Sequence, residues 1–312
     1  MGRYSPEFLT KMKHEPMSLN FIKQAIHDRA ILEGKVIRCS EDYTLTLKLG
    51  RDIFGEIPFS ELEVLADGAV AKFVSATSKL NKHIKFIPKE LVENEDGTYT
   101  VKCSRKEAQQ ECIDNYIKKL IPGDVIDAKV LRVVKYGVFC DIGCGITALL
   151  PTNNISVTHV VNPETVLRGV SRLRVVVQYN NDPLKVQLTH RELLGTWEEE
   201  SSKFSIGDTV PGTVLSVEDY GIFVRISQNL SGLAEISELH VETDDMVLVK
   251  IIDIKPENMK VKLVITERIE YDTPEDANNA RRMRFDYVIK DNHITDWEYN
   301  KETAKKHIAS HF

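Results

Sequence analysis

The sequence predicts a mainly β protein: three tandem five-stranded barrels joined by short helices, with a small α/β extension at the C-terminal end. An internal repeat, short β-branched runs inside each copy, and helix-start signals between copies carry that prediction. The repeat is plainest where Gly123-Asp124-Val125, followed by Lys135-Tyr136-Gly137-Val138-Phe139, returns as Gly207-Asp208-Thr209, followed by Asp219-Tyr220-Gly221-Ile222-Phe223. The offset of 84 holds without a gap from Gly123/Gly207 to Leu149/Leu233, and self-similarity at a fixed offset marks one structural unit used more than once. Lys185-Val186-Gln187-Leu188 and Lys260-Val261-Lys262-Leu263 match at an offset of 75, so the earlier copy carries about nine extra residues, expected within 155–172.

Taken in chain order, residues 1–30 are an N-terminal tail and short helix. The stretch 21–32 reads as an amphipathic helix, while 1–17 has no period and is expected to be mobile. Residues 31–104 form a divergent third copy that opens at Gly34-Lys35-Val36. In it, Gly55-Glu56-Ile57-Pro58-Phe59-Ser60-Glu61-Leu62 matches Gly232-Leu233-Ala234-Glu235-Ile236-Ser237-Glu238-Leu239. Its central turn, Asp42-Tyr43-Thr44-Leu45, lacks both the glycine and the phenylalanine of the other copies. Residues 105–120 are a linker helix, started by the capping box Ser104-Arg105-Lys106-Glu107, with Ala108, Cys112, Ile113, Tyr116, Ile117 and Leu120 at helical spacing. The second barrel spans 121–190. A second box, Thr189-His190-Arg191-Glu192, starts a helical linker over 191–204, and the third barrel spans 205–270. Runs such as 127–134, 138–142 and 172–178, broken by Gly, Asn and Asp, read as short strands; closing about five of them into a barrel removes edges that an open sheet would expose. In the extension, 271–312, Met283, Phe285, Tyr287 and Ile289 alternate, Asp291-Asn292 offers a turn, and Thr295, Trp297 and Tyr299 alternate again, which predicts a hairpin.

Composition narrows the function. At roughly 150 residues per domain, 312 residues make two or three domains. With 42% hydrophobic and 28% charged residues, the chain is too apolar for general disorder. No apolar run approaches the roughly 18 to 20 residues of a membrane span, and residues 1–30 lack a charged-then-apolar secretion signal, so a cytoplasmic protein without a membrane partner is expected. Five cysteines, an odd number, suggest reduced thiols. The net charge of −6 has the wrong sign for coating nucleic acid by bulk attraction, so a polyanion would have to be held locally.

The Tyr-Gly-x-Phe strand followed by Gly-Leu-Ala-Glu-Ile-Ser-Glu-Leu resembles the S1 RNA-binding domain, a five-stranded OB-fold barrel, over about residues 31–270 and most closely from 121 onward. The tandem arrangement is similar to a short member of the bacterial ribosomal protein S1 family. The resemblance implies a non-catalytic binder of single-stranded RNA, including mRNA, working on or near the small ribosomal subunit. It places Tyr136 and Phe139 of the second barrel, and Tyr220 and Phe223 of the third, on the RNA face. Two departures stand out. The family's histidine position is Pro151 in one copy and Glu235 in the other, and Lys255 and Lys260 stand where an Asp and an Arg are common. A glutamate on such a face repels phosphate.

The residue types suit that chemistry. A flat ring offers a base a stacking platform worth about 1–3 kcal/mol with little sequence preference. Strand alternation sends residues i and i+3 to opposite faces, so Tyr136 and Phe139 share a surface only if Gly137 permits a bend or bulge. On aromatic spacing alone the rings could equally fill the core; the repeat and the resemblance favour the surface. Residues 121–193 hold eight basic and six acidic side chains, whereas 205–270 hold six and twelve, which concentrates phosphate attraction on the second barrel. Lys129, Arg132, Lys135 and Arg174 are the first candidates for backbone contacts there, joined by Lys185, and by Arg225, Lys255 and Lys260 in the third barrel. Cys140 and Cys144 have no second ligand pair at zinc spacing, and no Walker loop, nucleophile elbow or HExxH helix occurs, so neither metal, cofactor nor catalysis is expected. The alternatives are a protein-docking adaptor of a ribosomal or RNA-processing complex, using the acidic third and degenerate first barrels, and an unrecognised nuclease.

Overall fold

Alternation along every strand closes each repeat on itself. In β1 (Leu32–Cys39), Leu32, Gly34 and Val36 turn inward and Lys35 outward, the pattern of a strand with one buried side. The structure, a computed structural model, describes residues 3–7, 16–66, 69–236, 239–280, 284–301 and 307–312. Ahead of β1, α1 (Leu19–His27) is capped by the Ser18 hydroxyl, which accepts from the Phe21 amide. The helix expected over 21–32 therefore starts earlier and stops at His27, because Arg29 takes a positive φ of 48° and Leu32 already belongs to the sheet.

Barrel 1 continues through β2 (Leu45–Lys48), β3 (Ile53–Ile57), α2 (Phe73–Thr77), β4 (His83–Glu93) and β5 (Tyr99–Ser104), paired β1-β2-β3-β5-β4 into a closed ring. After α3 (Arg105–Asn115), barrel 2 uses β6 (Val125–Val134), β7 (Gly137–Gly143), β8 (Ile146–Pro151), the short α4 (Pro163–Val166), β9 (Arg172–Tyr179) and β10 (Gln187–Thr189). After α5 (Trp197–Ser201), barrel 3 uses β11 (Thr209–Glu218), β12 (Gly221–Arg225), β13 (Ser231–Ala234), β14 (Met246–Lys255) and β15 (Lys260–Arg268). All three rings have the same connectivity: a three-strand antiparallel meander whose first strand also pairs the fourth, and whose third strand pairs in parallel with the fifth. The first strand slips register at the same place in each, between Val36 and Arg38, Val130 and Arg132, and Val214 and Ser216. One extra residue there bends the strand around the barrel.

The joints carry much of the buried polarity. Ser104 caps α3 as expected, accepting from the Glu107 amide at 2.9 Å. The second box does not start an α-helix: Thr189 donates to Glu192 at 2.6 Å and a single tight turn follows, while the full capping box is Thr196 with Glu199, heading α5. The N-terminal stretch expected to be mobile is, over residues 3–7, fixed between barrels 1 and 2. Glu7 is buried, its amide donating to Asp141 and its carboxylate accepting from Arg105, while residues 8–15 lie outside the described set. Between barrels 2 and 3, buried Asn229 accepts from the Ser156 hydroxyl and the Val157 amide and donates to the Arg191 and Gly195 carbonyls. Ser156 and Val157 come from the insertion expected within 155–172, which thus holds barrel 3 in place, assisted by Arg168 and Asp244 at 2.7 Å.

The extension departs from its predicted hairpin. After α6 (Pro274–Ala280), the stretch carrying Phe285, Tyr287 and Ile289 lies unpaired against barrel 2, Met283 lies outside the described residues, and β16 (Asp296–Glu298) pairs instead with β17 (Ala309–His311). Alternation there reports burial against another unit, not pairing within the segment. Trp297 and Tyr299 pack into the third core beside Trp197, and Tyr287 with Phe285 covers His190.

Candidate nucleic-acid interface

Residues opposite one another in a sheet stand side by side on one face, so register alone assembles a row across each barrel. In barrel 2 the row runs Arg132, Phe139, Leu149, Gln187, Tyr179. In barrel 3 the matching row runs Phe223, Leu233, Lys262, Asp253. In barrel 1 it runs Thr46, Glu56, Lys102, Glu90.

Each of the two later rows has a second ring at its edge. Tyr136 sits in the turn just before β7 and meets Phe139 edge-to-face with ring centroids 6.1 Å apart; Tyr220 and Phe223 repeat this at 6.2 Å. The tyrosines are 62% and 69% exposed, so the rings lie open to solvent and do not fill the cores. They share a surface because the tyrosine precedes the strand, and Gly137 contributes close approach, not the bulge expected from sequence. A Cβ there would lie 2.4 Å from the Leu150 carbonyl oxygen, and one at Gly221 would lie 2.8 Å from that of Ala234. The register shift itself falls on the neighbouring strand, at Leu131 and Leu215.

The charged candidates divide. Arg132, directly across from Phe139, and Lys135, beside Tyr136, are exposed at the ring face. Lys185 is exposed two positions before Gln187, with Asp182 at 3.3 Å. In barrel 3, Lys255 and Lys260 line the open cleft beside Tyr220 and Phe223, Lys255 with Asp253 at 3.3 Å. Glu235 lines the same cleft with Lys262 2.7 Å away, whose hydrogen bond holds its carboxyl below the usual carboxylate range and so keeps it ionised on the face. Three candidates are elsewhere. Lys129 donates to the Glu7 carbonyl in the joint with barrel 1. Arg174 donates to the carbonyls of Ile289, Lys290 and Asp291, under the C-terminal segment. Arg225 is buried at the far end of β12, lining a cleft with Thr213 and Arg284. Sequence reasoning passed over Lys262 and the row Leu149, Gln187, Tyr179; the signal for them was the end-of-repeat match at Lys185-Val186-Gln187-Leu188, followed back across the sheet.

With that geometry in place, comparison with known proteins is decisive. The S1 RNA-binding domain family matches residues 119–191 and 203–266. Barrels 2 and 3 are S1 RNA-binding domains. Among curated proteins, the chain is similar to the small ribosomal subunit protein bS1 of Staphylococcus aureus (strain COL), 34% identical over 178 residues, which is 52% of this chain and 45% of that one. It is also similar to the bS1 protein of Leuconostoc lactis, 29% identical over 245 residues, 72% of this chain and 56% of that one. The chain therefore spans about half the length of the curated relatives it matches. A solved multidomain protein with nucleic acid binding domains from Streptococcus pneumoniae aligns over 81% of this chain and 78% of its own, at 11% identity and a TM-score of 0.25. The tandem S1 domains present two ring faces, one headed by Arg132 and uncharged from Phe139 to Tyr179, and one mixed with lysines and acids.

Proposed function

We propose that this protein is a non-catalytic binder of single-stranded RNA that acts in the cytoplasm with the small ribosomal subunit and holds unstructured stretches of mRNA, mainly through barrel 2. The observation that carries the reading is the barrel 2 row. Phe139, Leu149 and Tyr179 are uncharged, flanked by the open ring of Tyr136 and by Arg132 and Lys135. Such a surface offers stacking to bases and local cations to phosphates, in a chain whose total charge is negative. Barrel 3, with the same pair of rings but Asp253 and Glu235 on its face, is the weaker partner.

The test is the affinity of the full chain for a short single-stranded RNA across a salt series. Log affinity should fall with log salt at a slope of about −0.7 for each neutralised phosphate. Tyr136→Ala or Phe139→Ala should weaken binding at least about fivefold, the low end for loss of one stacking platform, with the fold intact. A flat salt response with unchanged affinity in both variants overturns the reading.

Barrel 1 supports a second role beside this one, docking to a ribosomal or RNA-processing protein. Its row carries Thr46 and Glu90 in place of rings and Glu56 in place of a leucine, and Val70, Phe73 and Val74 form an exposed apolar edge.

A further inference from the structure

One position separates the three faces more sharply than the shared rings do. The residue closing the row is Tyr179 in barrel 2, Asp253 in barrel 3 and Glu90 in barrel 1, as fixed by their partners Gln187, Lys262 and Lys102. Both acids are engaged, Asp253 with Lys255 at 3.3 Å and Glu90 with Lys102 at 2.7 Å. Tyr179 is 55% exposed at the last residue of β9, and among the described residues its side chain has no ring, hydrogen-bond or ion-pair partner. Isolated exposed rings are common on protein surfaces; it is the placement that matters here. Where the neighbouring barrels set a carboxylate already paired with a lysine, barrel 2 sets a neutral ring in line with Phe139. Phe139 and Tyr179 are separated by three strand spacings, about 14 Å along the curved sheet. A single base reaches only one of them. A strand of several nucleotides crossing the sheet reaches both, and the exposed Lys185, two residues before Gln187, stands near the far end of that path.

We infer that Tyr179 is a second, separate stacking platform on barrel 2 that takes a base several nucleotides along the strand from the one held at Tyr136 and Phe139. The inference rests on the RNA-binding reading above and gives barrel 2 a longer footprint than barrel 3, within the roughly 4–16 nucleotides usual for one small barrel.

The experiment measures binding of the full chain to oligouridylates of about eight and about three nucleotides, the shorter by competition, with thermal melting as a control for folding. Tyr179→Ala should weaken the longer RNA at least about fivefold and the shorter less than twofold, while Tyr179→Phe keeps both. Phe139→Ala should weaken both. If Phe139→Ala weakens binding and Tyr179→Ala does not, the second platform is wrong and the RNA-binding reading stands. If neither matters, the RNA-binding reading itself falls. Equal losses at both lengths, or a Tyr179→Phe loss as large as that of alanine, overturn a separate platform that acts by stacking.

Discussion

Barrels 1 and 2 share a frame and differ in what they show to solvent. Both close by the same pairing, both slip register one residue past an inward valine, at Val36 and Val130, and both carry a tyrosine in the following turn, Tyr43 and Tyr136, at matching positions. Past the arginine that heads both outward rows, Arg38 and Arg132, every residue differs: Thr46 for Phe139, Glu56 for Leu149, Lys102 for Gln187, Glu90 for Tyr179. The inward residues are constrained by packing, since one methylene too many or too few in a barrel this small is felt throughout the core. The outward row is free to take up a task or to lose it. Degeneracy of barrel 1 is thus a property of one face and not of the fold.

Rewriting one face as the other gives the largest expected effect. Phe139→Thr with Leu149→Glu converts the centre of the barrel 2 row to that of barrel 1. Both residues are only half-buried, so the barrel should still fold. Loss of a stacking ring, at about 1–3 kcal/mol, together with a carboxylate among phosphates, should weaken single-stranded RNA binding at least about thirtyfold. A change below threefold in fluorescence anisotropy would show that the row is not what distinguishes the two barrels.

The barrels and their ring faces were legible in the sequence because they depend on local repetition. Val130 and Val214 recur inside, and the ring-Gly-x-ring unit recurs at the turn. Charge was legible as a balance for each barrel, but not residue by residue. Lys129, Arg174 and Arg225 count toward the basic balance like any other, yet the fold spends them in joints, against the Glu7 carbonyl, the 289–291 backbone and the end of barrel 3. Which basic strand residues face a neighbouring unit is decided by how units dock, and no periodicity records that. The same holds for Glu7, whose burial depends on Arg105 nearly a hundred residues away, and for Tyr179, whose importance appears only when four strands lie side by side.

A second contrast lies within barrel 2, between its open ring face and the surface closed by the C-terminal extension. At that closed surface His190 is fully buried; Nδ1 donates to the Ile155 carbonyl at 2.8 Å, Nε2 lies 3.4 Å from the Tyr287 hydroxyl, and Phe285 meets the ring edge-on. Burial pushes the imidazole down to about 4. An unfolded chain takes up this proton near 6.5 and the folded one resists until about 4, so between those values the unfolded state binds more protons. The stability His190 allows is therefore full above about pH 6.5 and is lost as pH falls toward 4, by up to about 3 kcal/mol. Denaturant melts should show that loss in the natural chain and a flatter profile in His190→Gln, which starts less stable at neutral pH. Parallel acid profiles for the two chains would mean that other groups govern the closed surface.

The smallest expected effect is the most telling about barrel 1. There Phe73, from α2, stacks on Tyr43 with centroids 4.3 Å apart and planes within 16°, and Phe59 tilts against both at 5.7 and 5.6 Å. A ring of the protein's own thus lies where a base would stack. Two accounts of that contact lead to opposite results. If Phe73 is a cover over a working RNA site, Phe73→Ala should raise RNA affinity severalfold. If the site has been given up, the bared tyrosine stands beside a row that holds Glu56 and Glu90 and no second ring, so one platform gains little against the acids, and affinity should change less than twofold. The two acids on the row, and its lack of a second ring, favour the second account. In that case Phe73 together with Val74 serves the docking role, and Phe73→Asp should reduce co-sedimentation with ribosomes stripped of messenger while leaving RNA affinity where it was. A severalfold gain in RNA affinity with Phe73→Ala would return barrel 1 to the RNA-binding set and erase the contrast between the two faces.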